Sequence, residues 1–331
     1  AKATVLTAIM PNAKGYGRIV RRENGEVLKI VEHKDAAPEE LEIHEVNAGI
    51  YCFDADALFS ALAKVTNNNA QGEYYLPDVL SILRDAGEKI WAVVADNYEC
   101  TLGINSRSQL AVAERILRKR KVEELMADGV TIIDPKTTFV DADVRVGMDT
   151  IIYPFTLLEG DTVIGEDCCI GPHVRFQNVV VGDGVKAHYT YAHDAEIDGR
   201  ADLGQFTHIR PDTHIGENVK IGNFVEVKNS EIGAGAKLPH LSYIGDCDMG
   251  TDVNMGCGTI TVNYDGKSKF RTVIGDRAFV GCNSNLVAPV TLGNDAYVAA
   301  GSTITRDVPA GTLAVARARQ KEIEGWKDKR K

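Results

Sequence analysis

The sequence lacks most of the features that announce a particular chemistry. Its seven cysteines are odd in number and include no C-x-x-C. They read as free thiols in a reducing, cytoplasmic setting and exclude a disulfide framework. No apolar run approaches membrane-spanning length and no secretory leader is present, so stable membrane insertion is not expected. No Walker motif, G-x-S-x-G elbow or metal-ligand spacing occurs. A formal net charge of −10 argues against a nucleic-acid partner, although a local basic patch fits within such a balance. What remains is an ordinary composition, 44% hydrophobic and 25% charged, in 331 residues. That is room for two domains and a substantial core.

Glycine, by contrast, is plentiful at 31 residues, as a turn-rich fold requires. The clearest pattern runs from Val273 to Pro309. Ile274, Val280, Leu286, Leu292, Val298 and Ile304 recur every sixth residue. Four positions after each stands a small or β-branched residue: Ala278, Ser284, Val290, Ala296, Ser302, Val308. A period of six fits neither a helix nor a simple strand alternation. It fits a coil of short strands and tight turns with one inward side chain per hexad. Gly275, Gly281 and Gly293 directly follow three of the aliphatic positions and suit turns that need positive φ.

The same hexad begins near Phe139 with Val146, Ile152, Leu158, Ile164 and Ile170. Its phase breaks between Phe176 and His193. It resumes with Ile197, Leu203, Ile209, Ile215, Ile221 and Val227, then shifts to Ile232, Leu238 and Ile244, and again to Met249 and Met255. Thr261–Arg271 does not fit and is predicted to project as a loop. Three hexads make one triangular coil, giving roughly nine to ten coils. Residues 1–105 lack the hexad. There, strand-like runs (Thr4–Ile9, Arg18–Val20, Val27–Glu32, Glu45–Cys52, Ile90–Val94) alternate with helical patterns over Asp54–Val65 and Leu76–Ala86, which reads as α/β. Residues 106–129 are predicted to be a linker helix that stops at Gly129. The prism then occupies 130–312 and a basic arm 313–331.

Function is sought where the repeat is violated. Arg210 and Lys228 lie one coil apart and should stack, which suits a phosphate; a solvated pair, or ion pairs with Glu226 or Glu217, is the alternative. His240, between Pro239 and Tyr243, is placed to move a proton, but His173, His188, His193, His208 and His214 share the domain and nothing in the residues ranks them. NYDGKSKF, with Asn263, Tyr264, Lys267 and Lys269, is either the wall of a cleft or a plain loop. Cys257 and Cys282, each after a glycine, are read as small residues that let a ligand approach the backbone, not as nucleophiles.

In this order, THIRP, NFVEVKNSEIG, HLSYIGD, VNMGCGTITVNYDGKSKFRT and FVGCNSNLVAPV resemble the acetyltransferase signatures of one family: bifunctional bacterial N-acetylglucosamine-1-phosphate uridyltransferase / glucosamine-1-phosphate N-acetyltransferase. GYGRIVR, IVEHKDA, NAGIY and NNNAQGEYYLPDV extend the resemblance through the first domain. It implies a left-handed parallel β-helix preceded by part of a Rossmann-like α/β nucleotidyltransferase domain. It also implies a homotrimer with sites between subunits. The implied reaction is acetyl transfer from acetyl-CoA to the amine of glucosamine 1-phosphate, which feeds UDP-N-acetylglucosamine and cell-wall precursor synthesis. By the resemblance, His240 is the general base and Glu226 orients it. Arg210, Lys228 and Lys269 hold the sugar phosphate, and Tyr243 and Asn254 contact the sugar. Cys257, Asn263, Tyr264, Cys282, Ala300 and Arg317 line the acetyl-CoA site. Gly17, Glu32, Asn47 and Asn105 would contact UDP-N-acetylglucosamine, with Asn105 also a ligand of Mg²⁺.

The chain departs from the family at its start. The family's glycine-rich nucleotide loop and metal-binding Asp are not found, and GYGR matches a point about 120 positions into the family's pattern. Ala1 opens within a strand-like segment. The expectation is an opening domain that lacks its beginning and does not transfer uridylyl groups. Two other readings remain at this point: an acyltransferase for a different sugar or acyl chain on the same prism, and a trimeric scaffold without activity.

Overall fold

The computed structural model describes residues 1–327. The chain divides into two compact units, Ala1–Ile116 and Leu117–Lys331. The first is a five-stranded mixed sheet built from β1 (Ala3–Ile9), β2 (Arg18–Arg21), β3 (Val27–Val31), β4 (Glu45–Phe53) and β5 (Ile90–Val94), in the order β3-β2-β4-β1-β5. The strands β1 and β4 are antiparallel, whereas β1 and β5 are parallel. Helices α1 (Pro38–Leu41), α2 (Ala55–Leu62) and α3 (Asp78–Asp85) connect them. Asp54 caps α2 by accepting from the Ala57 N–H at 3.0 Å, satisfying one of the donors a helix start leaves open. Apolar residues on one side of α3, Val79, Leu80 and Leu83, pack with Ala3, Val5, Ile19 and Ile30 into one core. Every strand and both longer helices match the sequence reading to within a few residues; the four-residue α1 lay outside it.

Helix α4 (Arg107–Ala127) carries the chain into the second unit, where its Val122 and Leu125 join the prism core. Gly129, at φ 94°, ends it. From Thr131 to Ala314 the short strands pair in parallel between successive coils, with no antiparallel ladder among them. This is the left-handed parallel β-helix with hexapeptide repeats. The predicted inward positions are buried almost without exception, Ile152, Leu158, Leu203, Ile209, Val227, Val280 and Leu286 all at 0% exposure; Val146, at the first coil, is only partly covered. The small hexad positions Thr150, Thr156, Thr162, Ser284 and Ser302 are fully buried too; the first four hydroxyls donate to backbone carbonyls and Ser302 Oγ accepts from the Ala316 N–H.

Two expectations are corrected, and the phase break is explained. Gly275, Gly281 and Gly293 do not have positive φ; the left-handed residues stand two places later, at Arg277, Asn283 and Asp295. The glycines are required by space, because a Cβ there would lie 2.4–2.6 Å from backbone or side-chain atoms of the next coil. The projecting loop starts at Asn263, since Ile260–Val262 is still a strand with Thr261 fully buried. Between Phe176 and His193 the prism is unbroken: Phe176 pairs with Ala192 and Val181 with Ile197. That coil is simply shorter than its neighbours, so the hexad loses count while the ladder continues.

Left-handed corners recur down one edge. Phe155, His173, Tyr189, Phe206, Phe224 and Leu241 all have φ between 41° and 60°. Their rings stack outside the prism at 4.9, 4.9, 5.8 and 5.1 Å between centroids from Phe155 to Phe224. Such pairs are worth about 0.5–1.5 kcal/mol each, comparable to the roughly 1–2 kcal/mol that a non-glycine residue loses in this conformation.

Candidate functional site

Two columns of residues, running from coil to coil, define the site. The first lies on one flat face. His208, Glu226, Tyr243, Ile260 and Asn285 are successive register partners. Arg210 and Lys228 follow two positions on, stacked as their spacing predicts, with the Arg210 N–H bonded to Val227 O at 2.9 Å. The Arg210 guanidinium donates to Glu226 Oε1 at 2.8 Å. Lys228 Nζ lies 3.1 and 3.3 Å from the two carboxylate oxygens of Asp246. The loop that leaves the prism at Asn263 returns Lys269 beside Lys228, where the neighbouring ammonium lowers the Lys269 pKa. Three cations therefore converge on one spot.

Asp246 is the residue that the sequence reading missed. It is 4% exposed and accepts side-chain hydrogen bonds from Lys228, Asn229 and Asn263. Burial alone would raise its carboxyl; the three donors outweigh it and hold the group below the ordinary aspartate range. Burial likewise works to lower the Lys228 ammonium, but Asp246 raises it on balance. One buried carboxylate thus stands beneath a surface that stays net positive. The only sequence signal for it was the shift of hexad phase after Ile244. Asn263 joins the group, reaching Asp246 and, at 3.4 Å, the Tyr243 hydroxyl.

The second column runs along the corner. Register pairs on both flanks align His240 with Cys257, Cys282 and Ala300. Arg317 Nη1 donates to Ala300 O at 2.8 Å, closing the far end of the column. His240 is exposed, and its ring has no hydrogen-bond partner among the described residues. Its carbonyl accepts from Ser242 Oγ at 2.8 Å, which fixes the bend after it. A groove beside this corner is lined by Phe206, Phe224 and Leu241 together with His208, Glu226 and Tyr243.

The chain brings together Arg210, Glu226, Lys228, Tyr243, Asn263 and Lys269, and separately His240, Cys257, Cys282, Ala300 and Arg317. Glu226 meets Arg210 rather than His240. Tyr264 is exposed on the loop, bridged to Lys269. Asn254 stands on a different face, in register with Lys237 and Phe279. The last four residues of the basic arm, 328–331, lie outside the described residues; Leu313–Ala314 at its start still pairs with Tyr297–Val298.

In the first unit, Gly17 lies against Glu32, where a Cβ would stand 3.1 Å from the Glu32 carboxylate. Asn47 N–H bonds Gly17 O at 2.9 Å. Burial raises the Glu32 carboxyl, and burial pushes Tyr51 beside it up to about 12. Asn105 is exposed at the start of α4, its N–H on Gln109. It brings no carboxylate, and no group of three His, Cys, Asp or Glu close enough to hold an ion stands among the described residues. These residues do not by themselves fit a Mg²⁺ site.

Comparison with known proteins agrees with this architecture. The family model described as bacterial transferase hexapeptide (six repeats) matches residues 143–178 and 271–306. The nucleotidyl transferase model matches residues 1–103. That match starts at residue 1, partly at odds with the expectation of a domain lacking its beginning. The "Bifunctional protein GlmU" of Geobacillus sp. (strain WCH70) is 56% identical over 99% of this chain and 72% of its own length. That of Geobacillus thermodenitrificans is 57% identical over the same shares. That of Brevibacillus brevis is 56% identical over 97% of this chain and 69% of its own length. With both units matched and more than half of the residues shared, the chain belongs to the family of bifunctional GlmU proteins, the uridyltransferase/acetyltransferase enzymes whose signatures its sequence carries.

Proposed function

We propose that the prism transfers the acetyl group of acetyl-CoA to the amine of glucosamine 1-phosphate, with the two columns dividing the work. The observation that carries this reading is the convergence of Arg210, Lys228 and Lys269 over buried Asp246, beside Tyr243 and one bend from His240. Three cations suit a phosphate dianion, and Arg210 adds a forked donor. Tyr243 then faces the sugar ring. His240 takes a proton from the amine as it attacks the thioester carbon. The corner column of Cys257, Cys282 and Ala300 offers exposed backbone along which acetyl-CoA lies, with Arg317 at its far end for a phosphate of the coenzyme. Backbone N–H groups at these small residues supply the oxyanion contact.

The sugar contact Asn254 and the partner of His240 come from another copy of the chain. The exposed ring ladder from Phe155 to Phe224, continued by exposed Leu241 next to His240, supports a homotrimer that covers this edge and completes the site there. Glu226 then exchanges its bond to Arg210 for His240 when a phosphate engages the guanidinium. Gly17, Glu32 and Asn47 would receive the sugar of UDP-N-acetylglucosamine, whose uridylyl transfer is the Mg²⁺-dependent activity of the family. Free thiols and the substrates named fit a cytoplasmic enzyme.

The test is His240→Ala, assayed by release of the coenzyme A thiol with glucosamine 1-phosphate, and with glucosamine 6-phosphate and an acyl-carrier substrate as controls. Acetyl transfer should fall at least about 10²-fold, as for loss of an acid–base group. A near-normal rate in the variant overturns the assignment, and preference for either control overturns the substrate.

A further inference from the structure

We propose that Cys257 and Cys282 form an oxidisable dithiol whose closure to a disulfide shuts off the acetyl-CoA column. They are 25 residues apart in sequence, too far for an obvious pair, yet the register flanks Asn254↔Phe279, Met255↔Val280 and Ile260↔Asn285 set them directly one above the other. The Asn283 N–H reaches back to Cys257 O at 2.7 Å, and a Cβ on Gly256 would be 2.4 Å from Cys282 N, so the two turns are in close contact. Successive strands lie about 4.8 Å apart, inside the Cα separation of about 4.4–6.8 Å that a disulfide bridges. Both thiols are free; Cys282 is exposed and Cys257 half-buried.

The other prism cysteines contrast with this pair. Cys247 is enclosed and its thiol is pushed up to about 12 by burial. Cys168 is buried and raised for the same reason. Neither offers a thiolate to solvent. Cys169 is half-buried like Cys257, but its neighbour Cys168 is buried with a raised thiol, whereas Cys257 and Cys282 combine access at both sulfurs with register-aligned positions on successive coils.

The reaction requires an oxidant of the disulfide class. One deprotonated cysteine attacks a sulfur of that disulfide, forming a mixed disulfide and releasing one thiol. The second cysteine, deprotonated in turn, attacks the protein-bound sulfur of the mixed disulfide. The Cys257–Cys282 bond forms and a second thiol leaves. Two electrons pass from the protein pair to the added disulfide, and the two released thiolates take up the two protons. The new bond draws two adjacent corner turns together between His240 and Ala300. The effect on activity rests on the acetyltransferase reading; the bond itself does not.

The full chain is treated with oxidised glutathione, digested without reductant and mapped by mass, with acetyl transfer measured before and after, and again after dithiothreitol. The expected result is a Cys257–Cys282 linked peptide, an activity loss of at least about tenfold, and recovery on reduction. Cys282→Ala should give no linked peptide. Absence of the linked peptide overturns the proposal, as does a fully formed link that leaves activity unchanged. If the untreated chain transfers no acetyl group, the proposed function fails, while the peptide map still decides whether the dithiol closes.

Discussion

The substitution Asp246→Asn tests whether the buried carboxylate positions the phosphate grip. In the native chain it is the common acceptor for Lys228, Asn229 and Asn263, and its side chain is 5% exposed against 17% for Lys228. Asparagine keeps the shape but replaces one acceptor oxygen with an NH₂ that faces other donors. It also removes the negative charge between Lys228 and the nearby Lys269. A hydrogen bond to a charged group is worth about 1.5–3 kcal/mol. Breaking a fully buried pair costs about 3–5 kcal/mol, but Lys228 keeps some access to water, so the lower range applies here. At about 1.4 kcal/mol per factor of ten, KM for glucosamine 1-phosphate should rise roughly 10- to 100-fold. The turnover number should change much less, because the proton transfer at His240 lies in the other column. Initial rates across a range of glucosamine 1-phosphate, with acetyl-CoA saturating, separate the two. The opposite sign is physically possible: if Asp246 competes with the phosphate for Lys228, removing its charge frees the ammonium. An unchanged or lowered KM in a folded variant therefore refutes the positioning role.

Two further outcomes follow from the same structure. Leu286, fully buried in the prism, should cost about 2–5 kcal/mol when replaced by Ala, read as a lowered urea midpoint; a loss under about 1 kcal/mol would mean that the coils relax to fill the space. His214 lies 3.0 Å from both Asp198 and Glu231; burial opposes its charge, but the two carboxylates raise its pKa on balance. Its stabilising contribution is therefore fully present below the ordinary histidine pKa and fades as pH rises through the raised one. With the side chain 38% exposed, the gap in thermal stability between wild type and His214→Gln should be about 1 kcal/mol at most and should shrink with rising pH. A gap independent of pH refutes the ion pairing.

What the sequence makes legible here is the backbone. An inward side chain every sixth residue is a one-dimensional code, and the burial of Ile152, Leu203, Ile209, Val280 and Leu286 follows from it directly. The stacking of Arg210 on Lys228 follows too, because no residue is inserted between their coils. Where residues are lost or added, counting fails although the ladder does not. Phe176 meets Ala192 across a short coil. The loop from Asn263 to Arg271 separates Cys257 from Cys282 in sequence while the prism stacks them. The column that joins His240 to Ala300 is hidden for that reason, not because its residues are uninformative. Partner choice is illegible for a different reason. Asp246 follows a glycine at a left-handed corner, as Asp252 and Asp295 also occupy such corners on the surface. Nothing in its residue type distinguishes a buried acceptor from a turn residue. The distinction is made by Lys228 one coil away and by Asn263, which the inserted loop brings into reach. The insertion that breaks the count is thus the one that delivers Lys269 to the cation cluster. A repeat can state where every strand lies, but an enclosed charge is specified by neighbours from three coils at once, so in this fold chemistry collects where the period is least readable.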